Sequence, residues 1–478
     1  MSSQIKTLQS ETIKTLQSGN NKNDNSFGCY IGSGGFGKVY EIKGTTLVKK
    51  EMDLRQHENI REICFLRTYN HVPFITDMKG CDIDTEKNII NMYMENAGST
   101  LRELSKTMSL EERIKCVPSL LTQFSRILIW MKQEKILHCD IKPANICVDK
   151  EFNVKLIDWG FVQKFAPGKK YMIGTQVFYD PYTYDDIIDY NSEMFAFGIS
   201  ICYFLTSSFD YDSWDDFCND FDYDINSTAV IINDYNKEAI NIFGIEKLRS
   251  KFIEIFNNSY YYDIIVSMID LNIKKRIQMT DLYLRCPFEL RTKYSLIECY
   301  THIYENEEIN ININTDNFTK IVGMVVDWMV NIKFNFKIKY SLFNALQIMF
   351  KYLNIKSETP KGIANVAVIC LYISNLLNNE YIIDISRCTK LCNLQKKEVN
   401  DLMIDILTTL NFEVFPEPEN IEFNKKDEDI WKCVFLESCN KIYNFILPSI
   451  SQVKINELYV DNKQKNKLKL LEELIDMM

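Results

Sequence analysis

The sequence predicts an α+β fold in which a small strand-rich lobe and a larger helical lobe precede a separate all-α domain. Short β-type runs alternate with turn residues from Phe27 to Glu51, as in a twisted antiparallel sheet. Helical periodicity dominates from about 100 to 289. The polar passage Glu305–Asn317 separates this region from further helical segments that reach Asn411. Because 478 residues exceed the needs of one hydrophobic core, two or more domains are expected.

The composition shifts along the chain set the expected domain boundaries. The first residues are rich in Ser, Asn, Gln and Lys and repeat the hexamer IKTLQS, which is typical of a flexible tail. The last sixty or so residues contain one amphipathic helical pattern, at Asn466–Met477. We expect a polar tail at 1–26, a two-lobed domain at 27–290, a linker at 291–316, an all-α domain at 317–416 and an extension of unassigned role at 417–478.

Charge and hydropathy exclude several classes of protein. The net charge of -10 and the pI near 5.2 argue against nucleic acid as a partner, because phosphate binding needs basic surface. The most apolar stretch, Met194–Leu205, is too short to cross a bilayer and predicts a buried helix. The N-terminus lacks the apolar core of a secretory signal, which predicts an intracellular protein of the cytoplasm or nucleus. The 15 cysteines lack the spacing of a zinc site and are expected to be reduced.

The first strand pair carries a glycine-rich loop with the pattern G-x-G-x-x-G. Residues without side chains let backbone amides approach the phosphates of a nucleotide closely. The loop runs into a second strand and not into a helix, which excludes a dinucleotide-binding turn and leaves an ordinary glycine-rich hairpin as the alternative. The expected nucleotide-binding residues of the loop are Ile31, Gly32, Ser33, Gly34, Gly35, Phe36, Gly37, Lys38 and Val39.

A lysine on the third strand is placed where it could reach those phosphates. Glu62, on the predicted helix that follows, is the candidate ion partner of that lysine. Two neighbouring lysines compete for the role, and alternate residues of a strand face opposite ways. We favour Lys49 and keep Lys50 as the alternative, because the sequence does not tell which face of the strand turns inward.

The segment His138-Cys-Asp-Ile-Lys-Pro-Ala-Asn145 is followed, after a short apolar strand, by Asp158-Trp-Gly160. These motifs resemble the eukaryotic protein kinase family, whose signatures H-R-D-x-K-x-x-N and D-F-G occur in this order and at this spacing. The resemblance extends from Phe27 to about Leu290 and implies a bilobal kinase fold that uses ATP and Mg²⁺.

The resemblance also assigns a role to each residue of these motifs. It implies that Asp140 accepts or orients the proton of the substrate hydroxyl and that Lys142 steadies the transferred phosphate. It implies that Asn145 and Asp158 hold the metal through oxygen ligands. Met94 corresponds to the gatekeeper, and Glu95 to Ala97 would offer backbone groups to adenine. Lys142 and the Gly174-Thr175 pair are similar to the serine/threonine branch of the family.

The sequence departs from the family at several places. Cys139 replaces the arginine of H-R-D, and the segment Phe161–Gly174 contains no serine or threonine to be phosphorylated. Tyr182 replaces a glutamate, which would leave its usual partner, Arg276, as an unpaired buried charge. These departures keep open the alternative of a weak or inactive kinase that serves as a scaffold and binds partners through its helical domain.

The all-α domain resembles a cyclin box. Met324-Val-Val-Asp-Trp-Met-Val330 near its start and Leu410-Asn-Phe412 at its end match the landmarks of that family, and five helical segments fit its first repeat. Glu58-Asn-Ile-Arg-Glu-Ile63 is in turn similar to the P-S-T-A-I-R-E helix of cyclin-dependent kinases, on which a cyclin acts. The two resemblances imply an intramolecular contact between the domains, activation in cis, and protein substrates whose identity the sequence does not give.

Overall fold

The structure is a computed structural model, in which the described residues fall into two compact units divided between Ile303 and Tyr304. The described residues are 27–34, 37–165, 174–175, 178, 180, 188–206, 260–270, 272–294, 341–356, 359–378 and 383–415. The predicted tail, most of the predicted linker, the segment Met324–Val330 and the C-terminal extension lie outside these residues.

A five-stranded antiparallel sheet with one helix forms the first lobe, as the strand-type runs predict. The strand order is β1-β2-β3-β5-β4, so β3 is central and bonded on both edges. The elements are β1 Phe27–Gly34, β2 Gly37–Ile42, β3 Leu47–Asp53, α1 His57–Thr68, β4 Met78–Asp84 and β5 Ile89–Glu95.

One glycine of the loop is fixed by the packing of this sheet. Gly37 has φ +147°, and a Cβ added to it would lie 2.3 Å from the carbonyl oxygen of Glu51 on β3. Only glycine fits where two backbones approach so closely. The third glycine of G-x-G-x-x-G is therefore required by the contact between β2 and β3.

The second lobe is mainly helical, with short strand pairs at its junction with the sheet. Two of its helices begin with reciprocal capping boxes, Thr100 with Glu103 and Ser109 with Glu112, which satisfy the first free amides of each helix. The elements are β6 Ser99–Thr100, α2 Leu101–Thr107, α3 Leu110–Gln133, β7 Ile136–Leu137, β8 Ile146–Val148, β9 Val154–Leu156, β10 Gln163–Lys164, α4 Tyr190–Thr206, α5 Tyr260–Met268, α6 Met279–Arg285 and α7 Phe288–Lys293.

The core of this lobe lies between α3 and α4. The rings of Phe124 and Phe197 stack with their centroids 3.7 Å apart, and α4 is buried along nearly its whole length. This confirms the buried helix predicted for Met194–Leu205. In the described part of the chain, no helix is both long and apolar enough to span a bilayer.

The described part of the second unit is entirely helical, as predicted for the all-α domain. Its helices are α8 Ser341–Ile355, α9 Pro360–Leu377, α10 Ile385–Cys392 and α11 Lys396–Thr409. Thr359 and Asp384 cap α9 and α10 through their side chains, and Asn393 ends α10 in the left-handed conformation. Apolar residues of all four helices are buried.

Candidate active site

The buried ion pair between the sheet and α1 is made by Lys50. Its Nζ lies 2.7 and 2.8 Å from the two carboxylate oxygens of Glu62 and 3.0 Å from Oδ1 of Asp158. Burial alone would lower the pKa of Lys50, but the charges of Asp158 and Glu62 outweigh it and hold this pKa above its usual value. Lys50 is therefore positively charged between two carboxylates.

The preference for Lys49 as the partner of Glu62 is wrong. Lys49 lies on the opposite face of β3, where its Nζ is 3.4 Å from Glu51 and 5.2 Å from the ring centre of Tyr40. Both lysines are largely buried, because β3 is the central strand and both of its faces are covered. Burial pattern could not have separated them.

The catalytic-loop motif is held in place from below by two buried groups. Nε2 of His138 lies 3.0 Å from the carbonyl oxygen of Ile157, and its Nδ1 accepts from the Asp140 amide at 3.2 Å. Burial lowers the pKa of His138, so the ring is neutral with its proton on Nε2. Glu193 accepts from the amide of Cys139 at 2.8 Å, and burial raises the pKa of this carboxyl to about 8.

Asp140 lies at the centre of a group of hydrogen-bond donors. Its Oδ1 accepts from the Thr175 hydroxyl at 2.8 Å, and its Oδ2 accepts from Asn145 Nδ2 at 3.0 Å. Lys142 Nζ lies 2.8 Å from Oδ2 of Asp140 and donates to Thr175 at 2.9 Å. The predicted residues Asp140, Lys142 and Asn145 are thus brought together, and Thr175 joins them.

The next motif follows one strand later and returns to the same place. The amide of Ile157 donates to the carbonyl oxygen of Asn145 at 2.9 Å, which ties the strand before Asp158 to the catalytic loop. Asp158 adopts the left-handed conformation, φ 65° and ψ 61°, and its side chain is 20% exposed. This turn brings its carboxylate to Lys50.

The donor set of the cleft fits a magnesium nucleotide. Nδ2 of Asn145 points at Asp140, which leaves its Oδ1 for a cation, and Asp158 offers a second oxygen ligand. Mg²⁺ is usually held by one or two such groups together with phosphate oxygens. Among the described residues no cluster of three or more His, Cys, Asp and Glu could hold a metal alone. A Cβ on Gly32 would have no atom within 4 Å, so that glycine leaves open space beside the strand.

The remaining nucleotide-binding candidates lie along β1, β2 and β5. Val39 is directly opposite Lys50, and Met94 is opposite Val48, two residues before Lys50, so these side chains share one face of the sheet. Ile31, Ser33 and Lys38 lie in β1 and β2, whereas Gly35 and Phe36 are outside the described residues.

The predicted hinge follows β5 directly. The amide of Glu95 donates to Asp77 at 3.0 Å, and the amide of Asn96 donates to Thr46 at 3.0 Å. None of the hydrogen bonds found among the described residues uses the amide of Ala97. The side chain of Glu95 forms an ion pair with Lys155 of β9, which joins the hinge to the second lobe.

The expected orphan charge at Arg276 has a partner that sequence reasoning missed. Arg276 forms a two-pronged ion pair with Asp180, with Nη2 to Oδ1 at 2.8 Å, and both side chains are 0% exposed. Its Nε also donates to the carbonyl oxygen of Asp270 at 2.7 Å. Asp180 lies two residues before Tyr182, so the carboxylate has moved along the chain.

This pair makes a prediction about stability. Asp180→Asn should lower the free energy of unfolding by about 3 kcal/mol or more, because it leaves the guanidinium buried and unpaired. Chemical denaturation of the full chain would measure the loss, with Asp263→Asn, at an exposed position on α5, as the matched control. Asp180→Leu combined with Arg276→Met should recover most of the stability. An Asp180→Asn variant as stable as the control would contradict the assignment.

Comparisons with known proteins agree with this geometry. Residues 26–286, more than half of the chain, match the family model described as protein kinase domain. Residues 298–415 match the model described as cyclin, N-terminal domain, which begins within the segment predicted as a linker. Both matches confirm the resemblances drawn from the motifs.

Individual relatives are serine/threonine kinases by name. Receptor-like serine/threonine-protein kinase SD1-7 of Arabidopsis thaliana is 27% identical over 211 residues, which are 40% of this chain and 24% of the relative. Mitogen-activated protein kinase kinase kinase 1a of Physcomitrium patens is 31% identical over 191 residues, 36% of this chain and 24% of the relative. Myosin light chain kinase 3 of Danio rerio is 30% identical over 190 residues, 37% of this chain and 26% of the relative.

The matched region spans about a quarter of the length of these relatives. It corresponds to the unit that contains Lys50, Asp140 and Asp158. The chain belongs to the protein kinase family, and its protein kinase domain is followed by a cyclin-type domain.

Proposed function

We propose that the chain is an ATP-dependent serine/threonine protein kinase that transfers the γ-phosphoryl group of ATP to hydroxyl groups of protein substrates. One observation carries the proposal. A charged lysine, two oxygen ligands for a metal and a carboxylate surrounded by donors line one cleft, at Lys50, Asn145, Asp158 and Asp140. Phosphoryl transfer needs positioning and charge neutralisation, which such a set supplies.

Each residue has a part in this reaction. The bond between the γ-phosphorus and the bridging oxygen of ATP breaks, a bond to the substrate oxygen forms, and Asp140 receives the hydroxyl proton. Lys50 binds the nucleotide phosphates, and Lys142 lies beside Asp140, where it meets the transferred group. Asn145 and Asp158 would hold Mg²⁺, which when bound neutralises phosphate charge.

Specificity for serine and threonine is supported by the group around Asp140. Lys142 donates to Thr175, and Thr175 donates to Asp140, so the lysine two residues after the catalytic aspartate is fixed beside the carboxylate. The names of the relatives, which include serine/threonine-protein kinases, point the same way.

We further propose that the cyclin-type domain activates the kinase domain in cis. The element it would stabilise is α1, because Glu62 of this helix orients Lys50. A covalently attached activator acts at a high effective concentration and can shift α1 toward the active position without a separate cyclin.

One assay tests both proposals. The full chain should transfer label from γ-labelled ATP to serine and threonine of a peptide library with Mg²⁺, and chelation should stop the transfer. A fragment that ends at Ile303, the border of the first unit, should be slower by at least about tenfold, and separate addition of 304–478 should restore rate only at high concentration. Equal rates for fragment and full chain would refute activation in cis. Nucleotide binding by the full chain without transfer would favour the scaffold alternative.

A further inference from the structure

The helix α1 reaches the metal side of the cleft through a residue outside the Lys50–Glu62 pair. Arg61 is 1% exposed, and its Nη1 donates to the carbonyl oxygen of Gly160 at 2.9 Å. A buried guanidinium is costly unless it forms hydrogen bonds, and a bond from a cation is stronger than one between neutral groups. The contact is therefore strong and directed at one backbone atom.

The turn that Arg61 contacts needs support. Asp158 is in the left-handed conformation, which is strained for a residue with a Cβ. The residue after it is held by its side chain: Trp159 stacks on Phe65 of α1 with centroids 4.2 Å apart, and its indole N–H donates to Leu156 at 2.8 Å. Gly160 offers no side chain, so its carbonyl is the group that can be held.

Consecutive residues of α1 hold the two sides of the cleft. Glu62 binds Lys50 of the sheet, and Arg61 binds Gly160, two residues after Asp158. A displacement of α1 would break both contacts together. The position of one helix thus sets the phosphate-binding lysine and the conformation of the metal-binding turn.

We propose that Arg61 is a positioning residue for phosphoryl transfer, which holds Asp158 in its metal-binding conformation through the carbonyl of Gly160. The proposal rests on the proposed kinase function, because it assigns a part in the same site. Arg61 touches no reacting atom. It acts on the backbone that carries Asp158 and couples this turn to the helix that orients Lys50.

The test compares three variants of the full chain. Arg61→Met removes the donors and keeps an apolar stem, Arg61→Lys keeps a cation of shorter reach, and Arg67→Met makes the same change at a less buried position of α1. For Arg61→Met we expect kcat to fall by about 10²-fold and the KM for Mg²⁺ to rise by about tenfold, with the KM for peptide unchanged. Arg61→Lys should lie between it and the wild type, and Arg67→Met should match the wild type.

Hydrogen exchange of the protein without nucleotide gives a readout that does not depend on activity. Amides in peptides covering 156–163 should exchange about tenfold faster in Arg61→Met, with the rest of the kinase unit unchanged. If the wild type proves inactive, the kinase function fails, and this measurement still decides whether Arg61 holds the turn.

Other outcomes would overturn the proposal. These are a wild-type Mg²⁺ dependence in Arg61→Met, a lysine variant no better than the methionine variant, or faster exchange spread over the whole unit. If Arg61→Met does not fold, Arg61→Lys decides alone. A rise of its KM for Mg²⁺ supports the proposal, and unchanged metal dependence refutes it.

Discussion

Lys50→Met should reduce phosphoryl transfer by about 10²-fold or more, whereas Lys49→Met should leave the rate within about threefold of the wild type. The two lysines are adjacent and similarly buried, so the pair forms a matched experiment. Only Lys50 faces the cleft, where it contacts Glu62 and Asp158. Lys49 contacts Glu51 and Tyr40 on the other face of the strand.

A second variant separates catalysis from stability. Lys50→Met leaves Glu62 as an unpaired buried charge, which should itself cost about 3 to 5 kcal/mol of unfolding free energy. Adding Glu62→Gln removes that charge, so the double variant should regain much of the stability and none of the activity. Denaturation and steady-state rates of the four proteins measure this. Loss of activity in Lys49→Met with retention in Lys50→Met would overturn the assignment.

The choice between these lysines marks a limit of what the sequence can predict. Strand and helix runs, the polar passages and the ordered motifs were enough to predict the fold class. The inward face of a strand is normally read from the alternation of apolar and polar residues. The central strand β3 is covered on both faces, from Leu47 to Lys50, so alternation is absent there.

Two further residues could not be found from motifs, for different physical reasons. Asp180 serves Arg276 from a shifted position in the chain, and only the fold shows that its carboxylate reaches the guanidinium. Its place before a proline was the one available signal. Arg61 binds a backbone carbonyl, and such an acceptor has no residue type to search for.

The positions within His138–Asn145 were predictable because their roles depend on local spacing. Asp140 and Asn145 meet through bonds within one loop, five residues apart. The supporting carboxylate comes from a distant helix, at Glu193. Sequence thus gives the residues that a short segment brings together, and the structure gives the partners that tertiary packing supplies.

Asp140→Asn should lower kcat by about 10³-fold and leave ATP affinity nearly unchanged, because the variant removes the proton acceptor and little of the nucleotide site. The fold should survive. The new amide can place its oxygen toward Asn145 and Lys142 and its NH₂ toward Thr175, whose hydroxyl can also accept.

Asp149→Asn is the matched control, since Asp149 accepts from Asn153 in the turn between β8 and β9, away from the cleft. It should keep wild-type rates. Calorimetric ATP titrations with Mg²⁺ and single-turnover rates would measure both parts of the prediction. Equal activity in Asp140→Asn and wild type would mean that the measured transfer comes from another enzyme or needs no base at this position. A variant that loses ATP binding as well would show that Asp140 supports the nucleotide site itself, contrary to the geometry in which its oxygens face Thr175, Asn145 and Lys142.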